Sequence, residues 1–182
     1  MAMNEISPSV HHVELIDPIP EMGLAYRKFL QEFIEEGEEG LLLHLPDENE
    51  APGVCIRRLQ DHAAGLNLPE GRVPSSTYWL LSDDEVLIGE VHIRHRLTQE
   101  LEDYGGHIGY MVRPGERKKG YGTMMLAMAL EKSLALGFKR VMVTCEPGNT
   151  ASARIICKNG GKLISESATR TGRMISRYWF DL

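Results

Sequence analysis

Apolar residues recur along this chain with two different periods, and the changes between them predict its elements. From 20 to 36 the apolar set Met22, Ala25, Tyr26, Phe29, Leu30 and Phe33 keeps helical spacing, and Gly37 and Gly40 close the run. A loop rich in Pro, Asp, Glu and Gly covers 44–53, and a shorter helix is predicted over 54–64, stopped by Gly65. Residues 69–75 read as loop. The period then shortens: 77–81 and 85–94 read as a hairpin across Ser82-Asp83-Asp84, with Gly89 marking a bulge or a close approach. A helical turn at 97–103 and the pair Gly105-Gly106 lead into a strand at 107–112. A helix over 123–136, a strand at 140–145 and a second helix ending at Lys158-Asn159-Gly160-Gly161 follow. The last two strands, 161–167 and 173–180, flank Thr171-Gly172, and 10–16 is a candidate first strand. This order implies an α/β chain with a mixed central sheet and helices on both faces. At 182 residues, with no linker visible, it reads as one domain.

The segment Val112-Arg113-Pro114-Gly115-Glu116-Arg117-Lys118-Lys119-Gly120-Tyr121-Gly122-Thr123 carries the most chemical information. It joins a strand to the start of a helix, where backbone N–H groups and the positive end of the helix dipole face whatever anion sits there. Gly120 and Gly122 permit a close backbone approach. Residues 113–119 hold four basic side chains against one Glu, within a chain of net charge −6. The segment reads as a pyrophosphate cradle. It is not a P-loop, because Tyr121 and Gly122 stand where Lys and Ser/Thr are needed. Nor is it a dinucleotide fingerprint, since the third glycine is replaced by Met125.

The form Arg117-x-x-Gly120-x-Gly122 resembles the coenzyme A loop of the GNAT superfamily of N-acyltransferases. The likeness runs over about 76–182 and includes Asn149, Ser152 and the ending Lys158-x-Gly160. The segments Ile93 to Arg96, Gly105 to Tyr110 and Arg177 to Trp179 are similar to those of a bacterial subgroup of predicted acetyltransferases with no assigned substrate. The resemblance implies the GNAT fold, with parallel strands at 107–112 and 140–145 splayed around the thioester. It implies acetyl-CoA as co-substrate and direct transfer to a primary amine of a small molecule or peptide. The cofactor would be held by Tyr110, Met111, Val112, Arg117, Lys118, Lys119, Gly120, Tyr121, Gly122, Thr123, Asn149 and Ser152. Residues 20–75 would form the substrate-side helices and loops, and a homodimer is compatible with the family. An acyl-CoA sensor without turnover stands as the alternative.

The family places a Glu base where this chain has His107, an imidazole with an ordinary pKa near 6.5. Glu90 on the adjacent strand is the second candidate base. The usual Tyr acid is replaced by Ile156, which cannot donate a proton. Arg94 and Arg96 are candidate ligands for a substrate carboxylate. His92 and His95 lack the convergence a metal needs, so no metal is expected.

Charge and cysteine usage narrow the classes. Residues 1–50 hold 12 acidic and 2 basic residues, so the remainder is +4. The acidic stretch reads as a solvated helix face, or as a wall attracting a cationic amine. The acidic balance argues against nucleic acid as a partner. Cys55, Cys145 and Cys157 read as reduced thiols of a cytoplasmic protein. No apolar run is long enough to span a bilayer and no signal peptide is expected, so no membrane association is either.

Overall fold

A computed structural model describes residues 12–38, 40, 42 and 50–182. Most of the expected 44–53 loop, and the start of the 10–16 strand, lie outside these residues. Strand β1 (Val13–Ile16) is followed by a 3-10 turn, Pro20–Met22, and helix α1 (Gly23–Glu35). Helix α2 (Pro52–Ala63) leads to the hairpin β2 (Ser75–Ser82) and β3 (Leu87–Arg94). A short α3 (Gln99–Asp103), capped by the Thr98 hydroxyl, precedes β4 (Ile108–Val112). Helix α4 (Tyr121–Ala135), β5 (Arg140–Cys145), α5 (Thr150–Lys158), β6 (Lys162–Ala168) and β7 (Met174–Asp181) complete the chain.

The central strands are covered on both faces, as the periods require. On one face Met125, Leu126 and Ala129 of α4 pack with Ile88, Val91, Ile93 and Ile108. On the other, Tyr26, Phe29 and Phe33 of α1 and Ile56 and Leu59 of α2 cover Trp79, Leu81, Leu87 and Met111. Each fully buried large side chain of this kind contributes roughly 1.5–3 kcal/mol of transfer free energy. The glycine inside β3 has both functions considered for it. Pairing slips opposite it, between Leu80 and Leu81. A Cβ at Gly89 would also lie 2.8 Å from the Met111 carbonyl and 3.0 Å from Met125 Sδ.

Hydrogen bonding divides what the pattern read as one mixed sheet. Strands β1-β2-β3-β4 form one sheet and β5-β7-β6 another, and every pair is antiparallel. No parallel ladder joins β4 to β5 among the described residues. The two strands abut where the His107 N–H donates to the Met142 carbonyl at 2.7 Å. Gly106 makes this contact sterically accessible: a Cβ there would stand 2.5 Å from the Met142 oxygen, and its φ is +64°. Beyond the junction β4 turns to β3 and β5 to β7, which leaves a wedge between them.

Candidate active site

The cofactor end of the wedge is the β4–α4 connection. A 3-10 turn at Pro114–Glu116 and left-handed backbone at Lys118 (φ +65°) and Gly120 (φ +92°) coil the loop onto the start of α4. Gly120 is the N-cap, and among the described residues no side chain caps the helix. The N–H groups of Thr123 and Met124 return to the Gly120 carbonyl. Among the described residues no acceptor meets the N–H groups of Gly120, Tyr121 and Gly122. A Cβ on Gly120 would meet nothing within 4 Å, so open space lies in front of it. Gly122 has a second purpose beside the one its motif suggests. A Cβ there would come 2.7 Å from Ile155 Cδ1, so this glycine lets α4 and α5 close on each other.

The loop's arginines point away from that space. Arg117 Nε donates to the Val112 carbonyl at 3.1 Å, Nη1 donates to Glu38 at 2.8 Å, and the guanidinium lies 5.6 Å over the Phe33 ring. Arg113 Nε donates to Glu32 at 2.7 Å, with a second bond from Nη2. The arginine bonds hold the Glu32 and Glu38 carboxyls below the usual range. The acidic stretch is therefore partly consumed inside the molecule. Lys119 pairs with Glu116 at 2.9 Å, and Lys118 is exposed.

Along the wedge, Tyr110 carries the informative atom. Its hydroxyl is buried, close enough to Ser152 for a weak interaction, and makes no well-formed hydrogen bond among the described residues. Burial pushes its pKa up to about 12. A buried hydroxyl left so costs roughly 1–3 kcal/mol until something bonds to it. Asn149 caps α5, accepting from the Ser152 N–H at 3.0 Å. The Thr123 carbonyl accepts from Asn159 at 3.2 Å. Val112 packs toward α4, whereas Met111 faces α1 and α2, away from Tyr110. An open helix terminus and an orphaned phenol on the adjoining strand suit a long ligand carrying phosphate at one end and amides along its arm. Coenzyme A fits this description.

His107, the first candidate base, is held by its neighbours. Its Nδ1 accepts from the Met142 N–H at 2.9 Å, which uses the lone pair a base needs. The ring stands edge-on to Phe138 and Trp179, with centroids at 5.4 and 5.9 Å. Burial, then the charge of Arg94, lowers its pKa to about 4. The geometry makes it a strut between β4 and β5. Ile156, at the position of the usual acid, is wholly buried, and its Cγ2 would meet a Cβ on Gly161 at 2.5 Å.

Glu90 is also fully buried, but it belongs to a chain of polar contacts. It accepts from Trp79 Nε1 at 3.0 Å and lies 2.7 Å from His92 Nε2. The other ring nitrogen of His92 is 2.9 Å from Thr77 Oγ1. Burial alone would raise the Glu90 carboxyl; the charge and hydrogen bond of His92, with the Trp79 indole, outweigh it and hold it below its ordinary value. His92 in turn lines a cavity of about 870 Å³ between α2, the 68–73 loop, α3 and the 169–173 turn. Arg94 lines the same cavity. Arg96, beyond the end of β3, is exposed and is not part of its lining. The reading of the sequence missed His92 as a wall residue; its i, i+2 spacing from Glu90 on one strand face was the available signal. The loops that close the cavity carried none.

Among the described residues no group of three or more His, Cys, Asp or Glu side chains is placed to hold a metal ion, and no helix is long and apolar enough to cross a membrane. Residues 39–162, more than half of the chain, match the family model of the acetyltransferase (GNAT) domain. No curated protein matches the chain in sequence at a significant level. Among solved structures it is similar to Mycobacterium smegmatis RimJ in complex with CoA-disulfide, at 18% identity and TM-score 0.66, over 93% of this chain and 81% of that one. It is similar to RimL, a ribosomal L7/L12 alpha-N-protein acetyltransferase solved with coenzyme A, at 14% identity and TM-score 0.65, over 97% of each chain. The ribosomal-protein-S5-alanine acetyltransferase of Vibrio fischeri is similar at 16% identity and TM-score 0.64, over 93% of this chain and 91% of that one.

Proposed function

The chain belongs to the GNAT acetyltransferase family, and from that premise we propose that it transfers an acetyl group directly from acetyl-CoA to a primary amine, of a small molecule or peptide, held in the cavity beside β3. The observation that carries this reading is the uncapped start of α4, open at Gly120, next to the wedge that holds the orphaned Tyr110 hydroxyl. The backbone N–H groups from Lys119 to Gly122 and the α4 dipole would hold the pyrophosphate. Tyr110 and Ser152 would border the arm. Acetyl-CoA supplies an activated thioester, so no enzyme nucleophile is needed. The chain's own contribution is placement, a proton acceptor and exclusion of water.

The proton acceptor in this reading is His92 with Glu90 behind it. His107 Nδ1 is held by a backbone N–H that cannot turn round, and Glu90 is wholly buried, whereas the hydroxyl on His92 Nδ1 can reverse and pass a proton to the ring. His92 reaches the cavity, and the Glu90 carboxylate balances the charge the ring gains on taking a proton. Thr77 Oγ1 donates to the neutral ring and accepts from the protonated one. A second reading, CoA binding without turnover, is favoured by Ile156, which leaves the leaving thiolate without the usual acid. Thiolates leave without much help, their ordinary pKa being about 8.5. Thiol release from acetyl-CoA across a panel of amines, measured beside the thermal shift with CoA alone, separates the two. A shift with no amine-dependent release supports the second reading, and no shift removes both.

A further inference from the structure

The cavity wall is cationic, although the chain has a net charge of −6. Arg94 Nη1 donates to the Gly105 and Gly106 carbonyls at 3.2 and 3.1 Å, which pins the guanidinium at the start of β4. A Cβ on Gly109 would lie 3.8 Å from Nη1 and 3.9 Å from Nη2. The guanidinium therefore lies across the one stretch of β4 that has no side chain. Among the described residues, Nε and Nη2 of Arg94 make no hydrogen bond, and no carboxylate lies within 4.0 Å. The acids of the wall do not supply one. Asp103 is taken by Arg177 at 3.0 Å and by the Arg170 N–H at 2.9 Å, and Glu70 and Glu100 are exposed. Arg173 pairs with Glu146 outside the cavity lining. Arg72, on the 68–73 loop, faces the same space with no ion pair among the described residues and adds its repulsion to the burial that already lowers the Arg94 pKa.

A half-buried guanidinium with two idle donor groups, facing a second unpaired guanidinium, is an unfavourable arrangement until an anion completes it. Its planar fork matches a carboxylate in two-point contact. Resting on the acetyl-transfer reading above, we propose that the acceptor is an amino carboxylate: an amino-acid-like molecule whose carboxylate is bound by Arg94, with Arg72 closing over it, and whose amino group lies at the bare Gly109 face of β4. The volume of about 870 Å³ leaves room for a sizeable side chain.

The test compares leucine, methionine and phenylalanine with their α-carboxamides, which keep the amine and lose the negative charge. The full-length protein is expected to acetylate at least one free acid with kcat/KM tenfold or more above that of its amide. Arg94→Met is expected to bring the ratio to within threefold by slowing the acid rather than the amide, with the CoA thermal shift retained. Arg72→Gln, at an exposed position that does not endanger folding, is expected to shrink the ratio several-fold. Propionate, with propionamide as the neutral control, tests the subsite without turnover: saturable binding should be present in the parent and lost in Arg94→Met. If propionate behaves so while no amine is acetylated, the transfer reading fails and the carboxylate subsite stands. Equal rates on acids and amides, propionate binding indifferent to Arg94, or inorganic phosphate bound in preference to propionate would each overturn the proposal.

Discussion

Acidification from pH 7 to pH 4 should weaken this fold through His107. The ring enters the folded state neutral, its Nδ1 bonded to the Met142 N–H and its edges against Phe138 and Trp179. Its pKa falls from 6.5 to about 4, first through burial and then through the charge of Arg94. In the unfolded chain the same ring takes a proton near 6.5. Stability from this group is therefore complete above pH 6.5 and is lost as pH falls toward 4, where the folded ring also titrates. At 1.36 kcal/mol per pH unit the displacement is worth about 3 kcal/mol. The clean comparison is His107→Asn, whose amide oxygen can still accept from the Met142 N–H but does not titrate. Urea unfolding of both proteins at pH 7 and pH 4 should show the parent losing about 3 kcal/mol more than the variant. Parallel losses would refute the placement of the ring and its titration. The same variant speaks to catalysis: loss of a general base costs roughly 10²–10⁴ in rate, whereas a strut replaced by a shorter acceptor should leave kcat/KM within tenfold.

Gly120→Val should abolish the thermal stabilisation by CoA, which in the parent approaches ~2.7 kcal/mol at 100-fold excess over Kd. Its cost to the apo fold should stay at roughly 1–2 kcal/mol, because the residue meets open space and only its left-handed backbone is strained. Gly106→Ala, measured by urea unfolding, should cost roughly 2–4 kcal/mol, since the new Cβ meets the Met142 carbonyl at 2.5 Å in a left-handed backbone. Ile156→Tyr should lose ~1–3 kcal/mol by overpacking and gain no rate, as that side chain points into the core against Gly161. Glu90→Gln keeps the shape but removes the charge behind His92; kcat/KM should fall about 10²-fold with the CoA shift intact, and an unchanged rate would remove Glu90 and His92 from the chemistry.

What the sequence revealed was local. The strand, glycine loop and helix around Gly120 are punctuated by residues whose backbone preferences act within a few positions, and so are the helical faces of α1 and α2. The sequence was silent wherever an outcome depends on distant partners. The division into two sheets falls where β4 and β5 part beyond the His107–Met142 contact, and the hydrogen-bonded partner of β5 is β7, near the end of the chain. The part His107 plays is decided by a backbone N–H 35 positions away. Arg117 has the motif's identity, yet its side chain answers to Glu38, 79 positions earlier. The cavity is closed by a loop before β2 and a turn before β7, neither of which has a pattern of its own.

The arginine–glutamate pairs between α1 and the glycine loop change what ionic strength can do to cofactor affinity. Arg113, Arg117 and Lys119 spend their charge on Glu32, Glu38 and Glu116, so Lys118 is the loop's one basic group without an acidic partner among the described residues. A polyanion bound mainly by backbone N–H groups and a helix dipole releases few counterions as it docks. Its affinity should then depend only weakly on salt, with a slope set by about one charge rather than by the four written in the motif.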